Sequence, residues 1–200
     1  MEHVIRQYGL EDGALEIQYI EENFTEFRTK KAADEIVSRL EDRDFLILLS
    51  MAPSSDDDGE LIPVAFKVGH EIREHETQAP LVDLVSQLAG CVDFANRKVF
   101  YSWIGGTRQE WRGFGHYRAL TEQQEEWAHE QGYQELVVKT KNKFYPMRST
   151  LDHLHFNVVK FQPDLEDNRE SKLYLSKRIG AQLIQGHRTV RSLETVEDTA

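Results

Sequence analysis

Only one cysteine occurs in the 200 residues. Cys91 therefore has no internal partner, which excludes a disulfide framework and suits a reducing cytoplasm. No apolar run approaches the roughly 20 residues that a membrane span needs, and the opening MEHVIRQYGL is too charged for a secretory signal. A membrane partner is not expected. Positive charge is scarce as well: 24 Lys and Arg stand against 35 Asp and Glu, a formal net charge of −11. Such a surface repels nucleic-acid phosphates, and KTKNK near Lys141 is the nearest approach to a basic cluster. Nucleic acid is excluded as a partner on that ground, and a cationic small molecule or a basic peptide fits better. Repeats and low-complexity linkers are also missing. One domain over residues 1–180, with a polar tail over 181–200, is expected.

What is present alternates between two periods. HVIRQYG opens as a short strand, after which Ile17, Ile20, Phe24 and Phe27 recur at helical spacing, followed by Ala33, Ile36, Val37 and Leu40. DFLILLSMA is a continuous apolar run and LIPVAFKVGHEI a second, separated by the polar SSDDDGE; together they predict an antiparallel pair. Leu81, Leu84, Val85 and Leu88 form one more helical stripe, stopped by Gly90. VFYSWIGG predicts a strand, HYRALTEQQEEWAHEQ a helix, and QELVVKTK a strand. A long helix joins these two strands, so they should lie parallel. The helix should stop at Gly132 followed by Tyr133, the glycine-then-apolar pattern of a C-cap. FYPMRSTLDHLH predicts a short helix, and FNVVKF with KLYLSKRI a closing hairpin. The class is α+β (mixed α/β) with a largely antiparallel sheet, not a doubly wound parallel one.

The stretch with most chemical content is WRGFGHYRAL, from Trp111 to Leu120. Glycine in a first helical turn costs about 1 kcal/mol against alanine, and two glycines stand here with an arginine. Main-chain N–H groups at a helix start have no intrahelical partner, and the helix dipole is positive there. Small residues let an anion approach that main chain closely, and Arg112 adds a full charge at the rim. A phosphate-bearing ligand is one reading; a tight structural turn between strand and helix is the other. The spacing is that of neither the P-loop nor the dinucleotide fingerprint, because no Lys-Ser or Lys-Thr follows and Arg118 occupies the last glycine position.

From Val99 to Ile179 the chain resembles the GNAT superfamily of acyl-CoA N-acyltransferases. Arg112-Gly113-Phe114-Gly115-His116-Tyr117 is similar to that family's pyrophosphate loop, in which Arg or Gln is followed by two residues, Gly, one residue, and Gly or Ala. Tyr117 departs from it, so its ring must point into the core or distort the loop. Gly105 and Gly106 resemble the bulge where the fourth strand splays from the fifth. Asn142, Met147 and the His155-Phe156 pair fall where the family carries Asn, a small or apolar residue, and Gly-Phe. The resemblance implies a GNAT-like fold: a central, mostly antiparallel twisted sheet of six to seven strands with helices on both faces. It implies acetyl-CoA as co-substrate and acetyl transfer to a primary amine by direct attack in a ternary complex. A non-catalytic CoA-binding or sensing protein of the same fold is the alternative. Cofactor contacts are expected from Gly106, Thr107, Arg112, Gly113, Phe114, Gly115, His116, Tyr117 and Asn142. The pantetheine arm would lie in the opening between VFYSWIGG and QELVVKTK. The acceptor, a small-molecule amine or peptide, is not specified, and the oligomeric state is open, a homodimer included.

An amine with a pKa near 10.4 must lose a proton before it can attack at neutral pH, at a cost of about 4.6 kcal/mol, so a base is required. Relatives place Glu on the fourth strand; here Tyr101 falls near that place, and Glu71 is the nearest carboxylate by topology. Relatives place a Tyr acid four residues before the Gly-Phe pair; here that position is Leu151, and Tyr145 is the substitute. No metal is expected. HEIREH has one residue too many for the H-E-x-x-H zinc motif and lies in a predicted strand.

Overall fold

A computed structural model describes residues 4–22, 30–54 and 59–187. Phe24 and Phe27, parts of the predicted helical stripe, lie outside the described residues. In chain order the elements are β1 (Val4–Tyr8), α1 (Leu10–Glu22), α2 (Ala33–Leu40), β2 (Phe45–Pro53), β3 (Leu61–Ile72), α3 (Ala79–Leu88), β4 (Val99–Thr107), α4 (His116–Glu130), β5 (Glu135–Lys141), α5 (Tyr145–His153), β6 (Asn157–Gln162) and β7 (Lys172–Arg178). The strands form one seven-stranded sheet in the order β1-β2-β3-β4-β5-β7-β6. The pairs β1–β2, β2–β3, β5–β7 and β6–β7 are antiparallel, and β4–β5 is parallel. The described residues gather into two compact units, one within Met1–His70, Ile104–Gln124 and Ile184–Ala200, the other within Glu71–Trp103 and Glu125–Leu183.

In the first unit the apolar run of β2 forms the centre. Leu46, Ile47, Leu48 and Leu49 are all buried, each such side chain contributing about 1.5–3 kcal/mol of transfer free energy. Both faces of this strand are covered, which explains a continuous run in place of an alternating one. The β2–β3 register shifts between Ser50 and Met51, Val64 of β3 being the extra residue, and the buried Ser50 makes a hydrogen bond described below. Residues 181–187, assigned to the polar tail by the sequence, are helical, and Ile184 is buried.

In the second unit β5, β7 and β6 pair antiparallel around β7, and β4 joins β5 in parallel. Helices cover both of its faces. Tyr101, Val137 and Tyr174 pack with Leu81, Leu84 and Leu88 of α3. Phe100, one residue along β4 and so on the other face, meets the Trp127 ring of α4 at 5.3 Å. Gly132 caps α4 with φ +81, and the Tyr133 N–H reaches back to the Ala128 carbonyl at 2.9 Å, as the C-cap pattern predicts. Beneath α4, the Lys177 ammonium donates to both oxygens of Glu125 at 2.7 and 2.8 Å, with both side chains buried.

The turn between β6 and β7 is held by Glu170, whose carboxylate receives Lys141 and Lys143, each at 2.6 Å. Those two hydrogen bonds hold its pKa down at about 2, from an ordinary 4.5. The folded value is below the unfolded one, so this group's stabilisation is full above pH 4.5 and lost as the pH falls toward 2. A Glu170→Gln protein should therefore lose part of the wild type's fall in stability across that window. Urea midpoints taken along an acid series test it; parallel curves for the two proteins would contradict it.

Candidate functional site

The glycine turn lies in the first unit. Gly113 and Gly115 both adopt left-handed φ, +86 and +81, a conformation that costs other L-residues about 1–2 kcal/mol. The Gly115 carbonyl accepts the first intrahelical bond of α4, from the Ala119 N–H at 3.0 Å. The main chain of residues 116–118 thus forms the leading edge of the helix, where the dipole is positive. Residues 112–115 are exposed, and a Cβ on Gly113 would meet open space. The preceding 3₁₀ turn, Gln109–Trp111, presents an indole whose ring lies 6.3 Å from Phe114 and 5.8 Å from His116. Arg112 folds back, its Nε donating to the Thr107 carbonyl at 3.1 Å.

Two side chains of this turn point inward. The family pattern, placed with its glycine at 115, puts Gly or Ala at Tyr117. The two left-handed residues are Gly113 and Gly115, so the turn itself asks for no glycine at Tyr117. Tyr117 lies inside α4 and its ring turns inward: Lys67 of β3 donates to the phenol oxygen at 2.8 Å, its Nζ 4.1 Å from the ring centre. Burial pushes that phenol well above its usual pKa. His116 is likewise turned in, Nδ1 sharing a hydrogen bond of 2.9 Å with Ser50 Oγ. Its side chain anchors the helix start to β2, leaving only its main chain at the turn.

Gly105 has a packing role. A Cβ there would come within 3.0 Å of the Phe66 carbonyl oxygen and 3.1 Å of the Tyr117 ring. The strand splay expected at Gly105–Gly106 begins earlier. In the second unit, β4 and β5 pair only from Val99↔Glu135 to Ser102↔Val138. Beyond that pair β5 continues to Lys141 against β7 alone, so the parallel ladder parts while both strands run on.

At the end of β5, Asn142 is committed on both sides of its amide. Nδ2 donates to the Asn168 carbonyl at 3.0 Å and Oδ1 accepts from Arg148 at 2.5 Å. The side chain pins the β5–α5 corner to the turn before β7. His155 ends α5 with φ +62, and the Phe156 N–H bonds the Leu151 carbonyl at 2.9 Å. A left-handed helix end is a position that glycine fills most easily.

Among the catalytic candidates, Tyr101 is buried in the apolar cluster under α3. Glu71 Oε2 receives two donors from Arg73, Nε at 2.7 Å and a terminal nitrogen at 2.5 Å, so the carboxylate serves an ion pair. Tyr145 is 59% exposed at the rim of a cavity of about 440 Å³ lined also by Arg148, Asp152, Phe156 and Leu173. Leu151, in the acid's usual place, is fully buried. Sequence reasoning missed Lys67, visible only as a lone cation in the apolar VAFKVG, and Lys139, which β5's alternation directs toward α3. Among the described residues, no three His, Cys, Asp or Glu side chains converge as a metal site would require. No helix there is long and apolar enough to cross a membrane.

No family model and no curated protein matches this chain by sequence. Solved structures do match. The crystal structure of Arabidopsis thaliana NAA60 in complex with acetyl-CoA aligns with 90% of this chain and 100% of its own, at TM-score 0.65 and 11% identity. The ribosomal-protein-S18-alanine N-acetyltransferase of Escherichia coli covers 90% of this chain and 96% of its own, at 0.58 and 13%. A Desulfovibrio desulfuricans protein assigned to the acetyltransferases of the GNAT family covers 90% and 100%, at 0.60 and 14%. This chain has the GNAT fold. In GNAT terms the mixed sheet agrees with expectation, as does the parallel β4–β5 pair at its centre. The excursion between β3 and β4, with α3, is a helical cover on the Tyr101 face of that pair.

Proposed function

We propose that the protein is an acetyl-CoA-dependent N-acetyltransferase, transferring acetyl to a primary amine of a small molecule or peptide by direct attack in a ternary complex. The observation that carries this reading is the parting of β4 from β5 after Ser102↔Val138 within a GNAT fold. A strand edge left unpaired offers main-chain donors and acceptors to the amides of a pantetheine arm, in the manner of an added strand. The left-handed turn at Gly113 and Gly115 supports it, since amides at a helix start suit a diphosphate. Main chain from Gly106 and Thr107 would serve the arm, and main chain of Arg112 to Tyr117 the diphosphate, with the Arg112 guanidinium at its rim. Asn142 would act by fixing the corner, since its amide is already engaged. Tyr145, an exposed phenol, is the remaining candidate acid; the Glu71 carboxylate is already engaged by Arg73.

A second reading, a CoA-binding protein without turnover, is favoured by one observation: the usual acid position is the buried Leu151. Two measurements on the intact protein separate them. CoA should raise the melting temperature, by an amount that grows with ligand concentration. Thiol release from acetyl-CoA should then appear with at least one member of a panel of polyamines, aminoglycosides, amino acids and peptides. A shift with no release on any amine selects the second reading, and no shift at millimolar CoA refutes both.

A further inference from the structure

We propose that the Lys139 amine is the base that deprotonates the acceptor, a reading that rests on acetyl transfer as proposed above. Lys139 is the first β5 residue beyond the last β4–β5 pair, Ser102↔Val138. Alternation along the strand puts it on the face of Val137, which packs with Tyr101 and Tyr174. Its Nζ is 3.7 Å from Asp83 Oδ2 of α3 and 5.7 Å from the centre of the Tyr174 ring. The side chain is 28% exposed, so it is half-buried yet open to a ligand. An amine thus stands where the parallel ladder opens, on the side capped by α3.

The groups around it define how it titrates. Burial comes first in lowering its pKa; the neighbouring charges of Lys172 on β7 and Lys141 on β5 add to this, and Asp83 on α3 opposes it. A larger fraction is therefore neutral near pH 7 than for a solvated lysine. Tyr174, in register with Lys139, does not compete as a base. Its hydroxyl donates to Gln162 at 2.9 Å, and burial, with Asp83 adding, pushes the phenol up to about 12.

The step balances without further reagents. The Asp83 carboxylate attracts the acceptor's ammonium, and neutral Lys139 takes one proton from it. The freed nitrogen forms a bond to the thioester carbonyl carbon. The tetrahedral intermediate restores its carbonyl by breaking the C–S bond, and CoA leaves as thiolate. The nitrogen's second proton goes to that thiolate, giving the amide and the thiol, and Lys139 returns its proton to solvent.

Two experiments on the full chain decide the matter. In trace labelling with acetic anhydride across pH, read by mass spectrometry, Lys139 should show a midpoint below the ordinary lysine value of about 10.4. Asp83→Asn should move it lower still; an ordinary midpoint overturns the proposal. In thiol-release assays with whichever panel amine turns over, Lys139→Gln should lower kcat by roughly 10²- to 10⁴-fold. It should also remove the acidic limb of the pH profile and leave the KM for acetyl-CoA unchanged. Lys139→Arg, unable to deprotonate, should not rescue the rate. Asp83→Asn should raise the KM for the acceptor, whose ammonium it attracts, and shift the acidic limb to lower pH, a change that a packing role alone would not produce. A Lys139→Gln protein with the wild-type rate and profile refutes the role of Lys139 alone. A wild type that binds CoA but turns over no amine refutes acetyl transfer, and this base with it.

Discussion

A Gly115→Trp protein should lose at least about 100-fold in CoA affinity, roughly 2.7 kcal/mol, while keeping its circular dichroism spectrum. Gly115 holds φ +81 and its carbonyl starts the hydrogen bonding of α4. A side chain there must either occupy a left-handed conformation, at about 1–2 kcal/mol, or shift the turn. Either way an indole would lie across the exposed main chain of residues 112–115. The expected loss in melting temperature is modest, about 2–8 °C for a chain of this size. Calorimetric titration with CoA checks it. Undiminished affinity in a folded variant would place the diphosphate elsewhere.

Lys177→Met should be the most destabilising single change in the second unit. Lys177 and Glu125 are 6% and 0% exposed, and methionine would leave the carboxylate buried with its main counter-charge gone. Breaking a buried pair on one side costs about 3–5 kcal/mol, or about 6–20 °C in melting temperature. The double variant Lys177→Met with Glu125→Leu should recover much of the loss, because desolvation of both charges is then avoided. The double-mutant cycle of urea midpoints is the measurement. A single variant as stable as wild type would show that solvent reaches Glu125.

Local patterns carried most of the fold. The unbroken apolar run at Phe45–Pro53, the α3 stripe ended by Gly90, and the Gly132–Tyr133 cap each signal their element through short-range physics. The glycine turn was legible for the same reason, since a left-handed backbone is written into residue type. The direction of its two bulky members was not: His116 and Tyr117 turn inward through contacts to Ser50 and Lys67, which are distant in the chain. The parting of β4 and β5 shows only indirectly: ELVVKTK turns polar at Lys139, and both strands pass from buried to half-buried after Ser102↔Val138, but a polar strand end does not reveal that a partner strand has left. His155 hides a left-handed helix end behind a residue other than glycine. The half-burial of Lys139 is created by α3, some fifty positions away in the chain.

The parting and the glycine turn both belong to one uninterrupted segment, Val99 to Lys141, that runs strand, helix, strand. Whatever that segment grips can be assembled by a single supersecondary unit, whereas α3 is spliced in ahead of it. On the proposed function, changes in residues 73–98 would then alter acceptor preference while leaving the segment assigned to the cofactor intact, a division of labour that lets one half of the chemistry stay constant while the other diversifies.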